Sequence, residues 1–269
     1  MSVPRVQLTG RPSLLPHLGI QWRVLHALLM REIITRFGRE NLGVLWLVAE
    51  PMLFTLGVAT LWTAAGLRHG SAIPIVAFAV TGYSSVLMWR NSANRAGSAV
   101  ANNKPLLFHR NVQVLDVLLT RTLLEIGGAT GSFIVLSLLF IFIGWMPSPV
   151  DMLEVMFAWF MLAWFGASLA LLIGAASAFS EIVERLWHPA AYLLFPLSGA
   201  AFMVDWLPVG MQKFVLLLPM VNGSEMLREG YFGNVVATHY DVGYMASCCL
   251  VMSLGGLFLA RQASRRVEF

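Results

Sequence analysis

The sequence predicts an all-α integral membrane fold. It has six transmembrane helices, an N-terminal amphipathic helix at the interface, and a re-entrant segment between the fifth and sixth spans. Three observations lead there. Hydrophobic residues make up 58% of the 269 and charged residues only 12%, about half the roughly 25% typical of soluble domains. The mean hydropathy is +0.72, and a soluble chain of this size cannot hide so much apolar surface. The apolar residues also gather into stretches near the ~20 residues that cross a hydrocarbon core.

Taken in order, the apolar stretches cover 42–67, 72–89, 122–143, 152–179, 186–204 and 242–260. The stretch 207–221 is also apolar, but it is short and bounded by Pro208 and Pro219. Charge decides how to treat it. With six spans and a cytoplasmic N-terminus, all but Arg68, Lys213 and Arg228 of the 18 Lys and Arg fall inside, as the positive-inside rule requires. A seventh span would move Arg261, Arg265 and Arg266 outside. Residues 207–221 are therefore expected to be re-entrant on the outer side, where protein or water can satisfy their backbone. The chain reads as a single transmembrane domain over 1–269. It comprises a cytoplasmic segment (1–41), a six-helix region (42–260) and a cytoplasmic tail (261–269), with no cleavable signal expected.

Ahead of the first span, Met30, Ile33, Ile34 and Phe37 recur at helical spacing, with Arg31, Glu32, Thr35, Arg36 and Arg39 on the opposite stripe. This is the pattern of a helix lying in the interface over 30–39. The fourth stretch would make a helix of roughly 42 Å, longer than a ~30 Å core, so it tilts or protrudes toward Glu181, Glu184 and Arg185. Residues 90–121 form a long basic loop with many donors, among them Asn91, Arg95, Asn102, Asn103, Lys104, His109 and Arg110.

Several chemistries are missing. The sequence has no phosphate-binding loop of the G-x-x-x-x-G-K-[ST] kind, no H-E-x-x-H and no complete nucleophile elbow. The adjacent Cys248 and Cys249 lie in an apolar run with no zinc ligands nearby. No catalytic residue and no metal site is expected. Intramembrane ionisable groups are few. Glu50 lies directly before Pro51 in the first span, where a carboxylate costs about 2.5–3.5 kcal/mol at the bilayer centre and calls for a partner or water. Snorkelling toward the cytoplasm is the alternative. Glu125 is shallower. No acidic or histidine relay runs along the spans, which argues against a proton-driven carrier. Trp46 and Trp62 lie at span ends, whereas Trp159, Trp164 and Phe165 lie deeper in the fourth span. Such residues pack helices, or they form an aromatic face along which sugar rings slide.

The segment Arg31-Glu32-Ile33-Ile34-Thr35-Arg36-Phe37-Gly38-Arg39, with Leu42-Gly43, Trp46 and Glu50-Pro51, resembles the opening of the permease subunit of Gram-negative ABC-type capsular polysaccharide exporters, a type-2 ABC transporter family. Leu197-Ser198-Gly199, Val204-Asp205-Trp206-Leu207-Pro208, Pro219-Met220-Val221-Asn222-Gly223 and Glu225–Gly233 resemble that family between its fifth and sixth spans, and Thr238-His239-Tyr240-Asp241 continues the match. The resemblance implies a homodimeric transport subunit, not an enzyme, in the bacterial inner membrane. Two copies of a separate ATPase would bind ATP and Mg, and the chain itself would hold no cofactor. It further implies periplasmic and outer-membrane export partners and a lipid-linked, usually acidic polysaccharide as cargo, with no nucleic acid.

The chemistry of the residues and the resemblance together distribute the roles. Trp46, Glu50, Trp62, Trp159, Trp164 and Phe165, with Arg31, Arg36 and Arg39, are expected along the substrate path. Asn91, Arg95, Asn102, Asn103, Lys104, Arg110, Glu181, Glu184 and Arg185 are expected to dock the ATPase. Arg90 and Arg95 could serve either at the cytoplasmic mouth or in docking. Asp205, Trp206, Asn222, Glu225, Arg228, Glu229 and Tyr231 are expected in an outer cap. The alternatives are an O-antigen exporter permease, an ATP-independent secondary transporter, and a membrane-embedded glycosyl-transfer or lipid-processing enzyme.

Overall fold

The computed structural model describes residues 14–37, 45–66, 73–107 and 112–267, and every element among them is helical. Of the expected path, docking and cap residues, Arg39 and Arg110, and the side chain of Arg36, lie outside the described residues.

The helices are α1 (Leu14–Phe37), α2 (Leu45–Ala64), α3 (Ile75–Gly97), α4 (Ala99–Asn102), α5 (Lys104–Leu107), α6 (Val114–Ile143), α7 (Met152–Ser177), α8 (Glu181–Leu197), α9 (Val209–Val215), α10 (Pro219–Phe232) and α11 (Val242–Val267). Their starts are written in local chemistry. The Asp151 carboxylate accepts from the Glu154 amide at the head of α7, Ser180 caps α8, and Pro219 opens α10, where its missing N–H is harmless.

Among the described residues four helices are long and apolar enough to cross a membrane: α2, α6, α7 and α11. The expected boundaries of the other two stretches shift. Helix α3 continues to Gly97, eight residues past the expected end, and every residue from 76 to 89 is buried. A helix enclosed by protein has no need of an apolar surface. Thr81, Ser85 and Ser92 instead return their hydroxyls to carbonyls of their own helix. Helix α8 covers Glu181–Leu197 rather than 186–204 and is 17 residues long. It gives way at Ser198 and at Gly199, whose φ is +80°.

The described residues of the basic segment 90–121 are mostly helical rather than a loop. They form the last turns of α3, the two short helices α4 and α5, and the first two turns of α6, which begins at Val114 and is 30 residues long. The apolar ruler placed this boundary at 122 because Asp116, Thr120 and Arg121 interrupt the run, yet each is satisfied inside the protein.

Helix α1 also differs from expectation. It starts at Leu14, and its inward stripe is Gln21, Val24, Leu25, Leu28, Leu29 and Glu32. Glu32 pairs with Arg121 on α6 at 3.1 Å, Arg31 donates to Asn103 at 3.0 Å, and Gln21 donates to Asp116. Met30 and Ile34 point outward, so part of the charged stripe faces the protein rather than solvent.

Helices α2, α3, α6, α7, α8 and α11 alternate in direction, with α3 and α7 at the centre. Trp159 of α7 reaches Thr130 of α6, Trp164 reaches Ser253 of α11, and Trp187 of α8 reaches Asn94 of α3. Small residues bring the central pair close. A Cβ on Gly166 would lie 3.1 Å from the Cα of Trp89. One end of the bundle collects Arg90, Arg95, Lys104, Arg121, Arg185 and Arg261 and is called the basic end below. The far end carries α9, α10 and the turns around them.

Candidate functional site: an aromatic column between two charged ends

At the far end α10 is almost wholly buried although it is rich in polar residues. Glu225 and Arg228 are both 0% exposed. Arg228 donates to the carbonyls of Phe202 (2.7 Å) and Ala200 (2.9 Å), and Glu225 accepts from the amides of Val204 and His239 at 3.2 Å each. These two side chains therefore tie the turn after α8 and the strap before α11 to α10. Asn222 and Tyr231 do related work: Asn222 bonds Leu216, Leu218 and Asp241, and the Tyr231 hydroxyl donates to the Pro147 carbonyl at 2.8 Å. Glu229 accepts from Thr238 at 2.6 Å. Of the residues expected in an outer cap, Asp205 and Trp206 are exposed, whereas Asn222, Glu225, Arg228 and Tyr231 are interior framework. Gly82 makes this packing possible, since a Cβ there would sit 2.3 Å from the Ala200 oxygen and 2.7 Å from the Arg228 guanidinium.

The Arg228 guanidinium also lies 3.9 Å from the centroid of Phe78. From Phe78 a continuous set of rings runs toward the basic end. Trp206 stacks on Phe78 at 5.2 Å, Phe78 meets Trp62 at 6.2 Å, and Trp62 meets Tyr83 edge-on at 5.4 Å. Tyr83 then contacts Phe54 at 6.0 Å and Phe195 at 5.6 Å. The column ends at Arg90, whose guanidinium lies 4.6 Å from the Tyr192 ring and 5.3 Å from Phe195. Among the described residues Arg90 has no carboxylate at ion-pair distance. The column spans α2, α3 and α8, and Phe54, Tyr192 and Trp206 expose 42%, 67% and 40% of their surface.

Beside the basic end of the column, Arg95 sits between two carboxylates. Its Nη2 is 3.1 Å from Glu50 Oε1 and its Nε is 3.6 Å from Glu125 Oε1. This network joins α2, α3 and α6 and supplies the partner that Glu50 required. Arg95 is engaged in this network with 39% of its side chain exposed. Asn103, also expected in docking, is buried and holds Arg31 and the Ala99 carbonyl. Arg31 is exposed and bonded to Asn103 at the end of α4. Asn91 is half-buried. Asn102 and Lys104 remain exposed, as do Glu181 and Arg185, which pair with each other at 3.1 Å. Glu184 leans on the end of α3, where a Cβ at Gly97 would lie 3.4 Å from its Cγ. These exposed residues share one end of the bundle.

The deep aromatics of α7 are helix-packing groups. The Trp159 indole donates to Thr130 at 2.9 Å and stacks on Phe133 at 4.3 Å, Trp164 donates to Ser253 at 3.2 Å, and Phe165 packs buried against Trp89. Each faces a neighbouring helix of the same chain, so none joins the column. Trp46 is 37% exposed at the start of α2. Of the expected path, Trp62 alone belongs to the column. The members missed were Phe54, Phe78, Tyr83, Tyr192 and Phe195. Their signals were spacing signals: Phe54 and Trp62 two turns apart on α2, and Tyr192 and Phe195 one turn apart on α8.

Residues 23–232 match the model of the ABC-2 type transporter family. The chain is 45% identical over 251 residues to the capsule polysaccharide export inner-membrane protein CtrC of Neisseria meningitidis serogroup B, covering 93% of this chain and 95% of that one. It is 41% identical over 251 residues to the capsule polysaccharide export inner-membrane protein BexB of Haemophilus influenzae, with the same coverage. It is 24% identical over 246 residues to the polysialic acid transport protein KpsM of Escherichia coli, covering 90% of this chain and 94% of that one. With the family model spanning most of the chain and relatives aligned almost end to end, the protein belongs to the ABC-2 type transporter family.

Proposed function

We propose that this chain is the permease subunit of an ATP-driven exporter that moves lipid-linked capsular polysaccharide across the bacterial inner membrane. The observation that carries this reading is 45% and 41% identity, over nearly the full length, to two capsule polysaccharide export inner-membrane proteins. In this reading α2, α3, α6, α7, α8 and α11 are the six spans, their alternating directions put both termini on the cytoplasmic side with the basic end, and α9–α10 is the re-entrant element. ATP and its Mg2+ bind a separate ATPase subunit. Two copies of that subunit press on a homodimer of this chain, through Asn102, Lys104 and the start of α8.

The aromatic column is the part of the site that touches cargo. Its exposed rings, Phe54, Tyr192 and Trp206, backed by buried Phe78 and Tyr83, offer a sugar polymer several similar weak contacts, so the thread advances without a deep well. Arg90 presents a charge-bearing guanidinium at the cytoplasmic entry, fixed over two rings, and draws in anionic sugars or the phosphate of a lipid anchor. Closure of the ATPase pair shifts the population between two arrangements of the dimer groove. The Glu50–Arg95–Glu125 network joins the helices that must move together. Periplasmic and outer-membrane export proteins take the polymer onward from the far end.

The test is affinity purification of the full chain from native membranes, under detergent conditions that preserve a known ABC complex. Recovery of a phosphate-loop ATPase in equal copy number is the expected result. Recovery of the chain alone sinks the exporter reading.

A further inference from the structure

Thr238-His239-Tyr240-Asp241, between α10 and α11, has no role in the mechanism above. It forms one wall of an open pocket of about 550 Å3 at the far end, a size within the ~300–1,000 Å3 of small-ligand sites. The other walls are Lys213, Leu216 and Leu217 at the end of α9, Asn222 on α10 and Tyr244 on the first turn of α11.

Most of its polar groups are held by the framework. Asn222 donates to Leu216 and Leu218 and accepts from the Asp241 amide. Thr238 donates to Glu229, and Asp241 accepts from the Tyr244 amide. The Tyr244 hydroxyl donates to the Leu217 carbonyl at 2.7 Å. Tyr240 donates to Glu154 at 3.2 Å. Burial, and then Glu229 and Glu154, push its hydroxyl above the ordinary phenol value, so it stays a donor.

The two basic side chains are different. Lys213 is exposed and makes no side-chain hydrogen bond or ion pair among the described residues. His239 donates its backbone N–H to Glu225 and leaves its exposed imidazole at the pocket. The groups left open are an ammonium, an imidazole and the second oxygen of the exposed Asp241 carboxylate, a set that suits a ligand offering both an anion and hydroxyl donors. The two tyrosine rings favour an anion carried on a ring with an apolar face. A bare inorganic anion would leave those rings and the Asp241 oxygen unused, and a neutral sugar would leave the Lys213 ammonium without a counter-charge.

We propose that this pocket binds a carboxylate-bearing sugar unit. Lys213 and His239 take the carboxylate, and the rings of Tyr240 and Tyr244 take the face of the sugar. The proposal rests on the export reading only for its location, at the exit side of the membrane. There it would catch each acidic unit as it leaves the column and oppose backward slippage.

The test uses the full chain in lipid nanodiscs, with oligosialic acid and oligogalacturonic acid as probes and their carboxyl-reduced, neutral forms as controls. At least one acid should bind, with its reduced form roughly tenfold weaker, and Lys213→Gln and His239→Gln should each weaken the acid by about fivefold to tenfold. Both side chains are exposed, so the variants should melt like the parent. Unchanged affinity in both variants, or equal binding of acid and neutral forms, or no binding of either acid, overturns the pocket. Failure of the export reading shows separately, as normal surface polysaccharide in cells that lack the chain.

Discussion

The two ends of the bundle each contain an arginine among carboxylates or carbonyls, but they are built for different purposes. At the far end Arg228 and Glu225 are fully buried, and both are held by backbone groups from two other segments. At the basic end the Glu50 and Arg95 side chains are 43% and 39% exposed, and only Glu125, at 5%, is enclosed. A buried pair tied to carbonyls and amides has one geometry, because any displacement leaves a desolvated charge. A half-exposed pair can part at small loss, because water replaces the partner. The far end is therefore a fixed frame for α8, α10 and α11, whereas the basic end joins α2, α3 and α6 with a linkage that can rearrange.

The sharpest way to break this contrast is to remove one charge at each end. Arg228→Ala strands Glu225 in the interior and should destabilise by about 3–5 kcal/mol, read as loss of folded protein on size-exclusion chromatography or a large drop in melting temperature. If Arg228→Ala melts like the parent, the far end is not a frame. Gly82→Ala drives a methyl against the Ala200 carbonyl and Arg228 and should cost about 1–3 kcal/mol in the same measurement.

Substitutions at the basic end should be milder for stability and harsher for transport. Arg95→Gln leaves buried Glu125 short of its cation and should cost about 1–3 kcal/mol, whereas Glu50→Gln, at a half-exposed position, should cost under about 1 kcal/mol. A melting series in which Glu50→Gln is the more damaging of the two would reverse the assignment of the network's anchor. Arg90→Gln should change stability by less than about 0.5 kcal/mol yet lower surface polysaccharide about tenfold, measured by glycan staining of intact cells. Unaltered export in that variant would take Arg90 out of the path. The smallest effect on export is expected at Trp164→Phe, which removes one hydrogen bond to Ser253 worth about 1 kcal/mol and should leave surface polysaccharide unchanged.

Much of the fold was legible because lipid imposes a simple rule on sequence. Helices α2, α6 and α11 face outward over much of their length, so their residues had to be apolar, and an apolar window finds them. The rule fails where protein replaces lipid. Helix α3 carries Thr81, Ser85 and Ser92 through the centre of the bundle, and α10 carries Asn222, Glu225 and Arg228 in an almost wholly buried helix. Their polar groups are satisfied by their own helix or by segments far away in the chain. Hydropathy stopped at 221 and left out the rest of α10 for that reason.

The site divides the same way. Sequence alone marked Glu50 as a carboxylate in need of a partner and Trp62 and Trp206 as aromatics at helix ends, because each breaks a local expectation. It also fixed the apolar helices, the family resemblance and the lack of a phosphate loop. Tertiary structure alone selected Arg95 as that partner, across 45 residues of chain. It turned Trp159 and Trp164 toward neighbouring helices and assembled the column from Phe54, Phe78, Tyr83, Tyr192 and Phe195. The physical reason is that hydrophobicity is a property of each residue and survives in a list of residues. The pairing of a charge or the stacking of a ring depends on which face of which helix it meets, and that is set only when α2, α3 and α8 pack together.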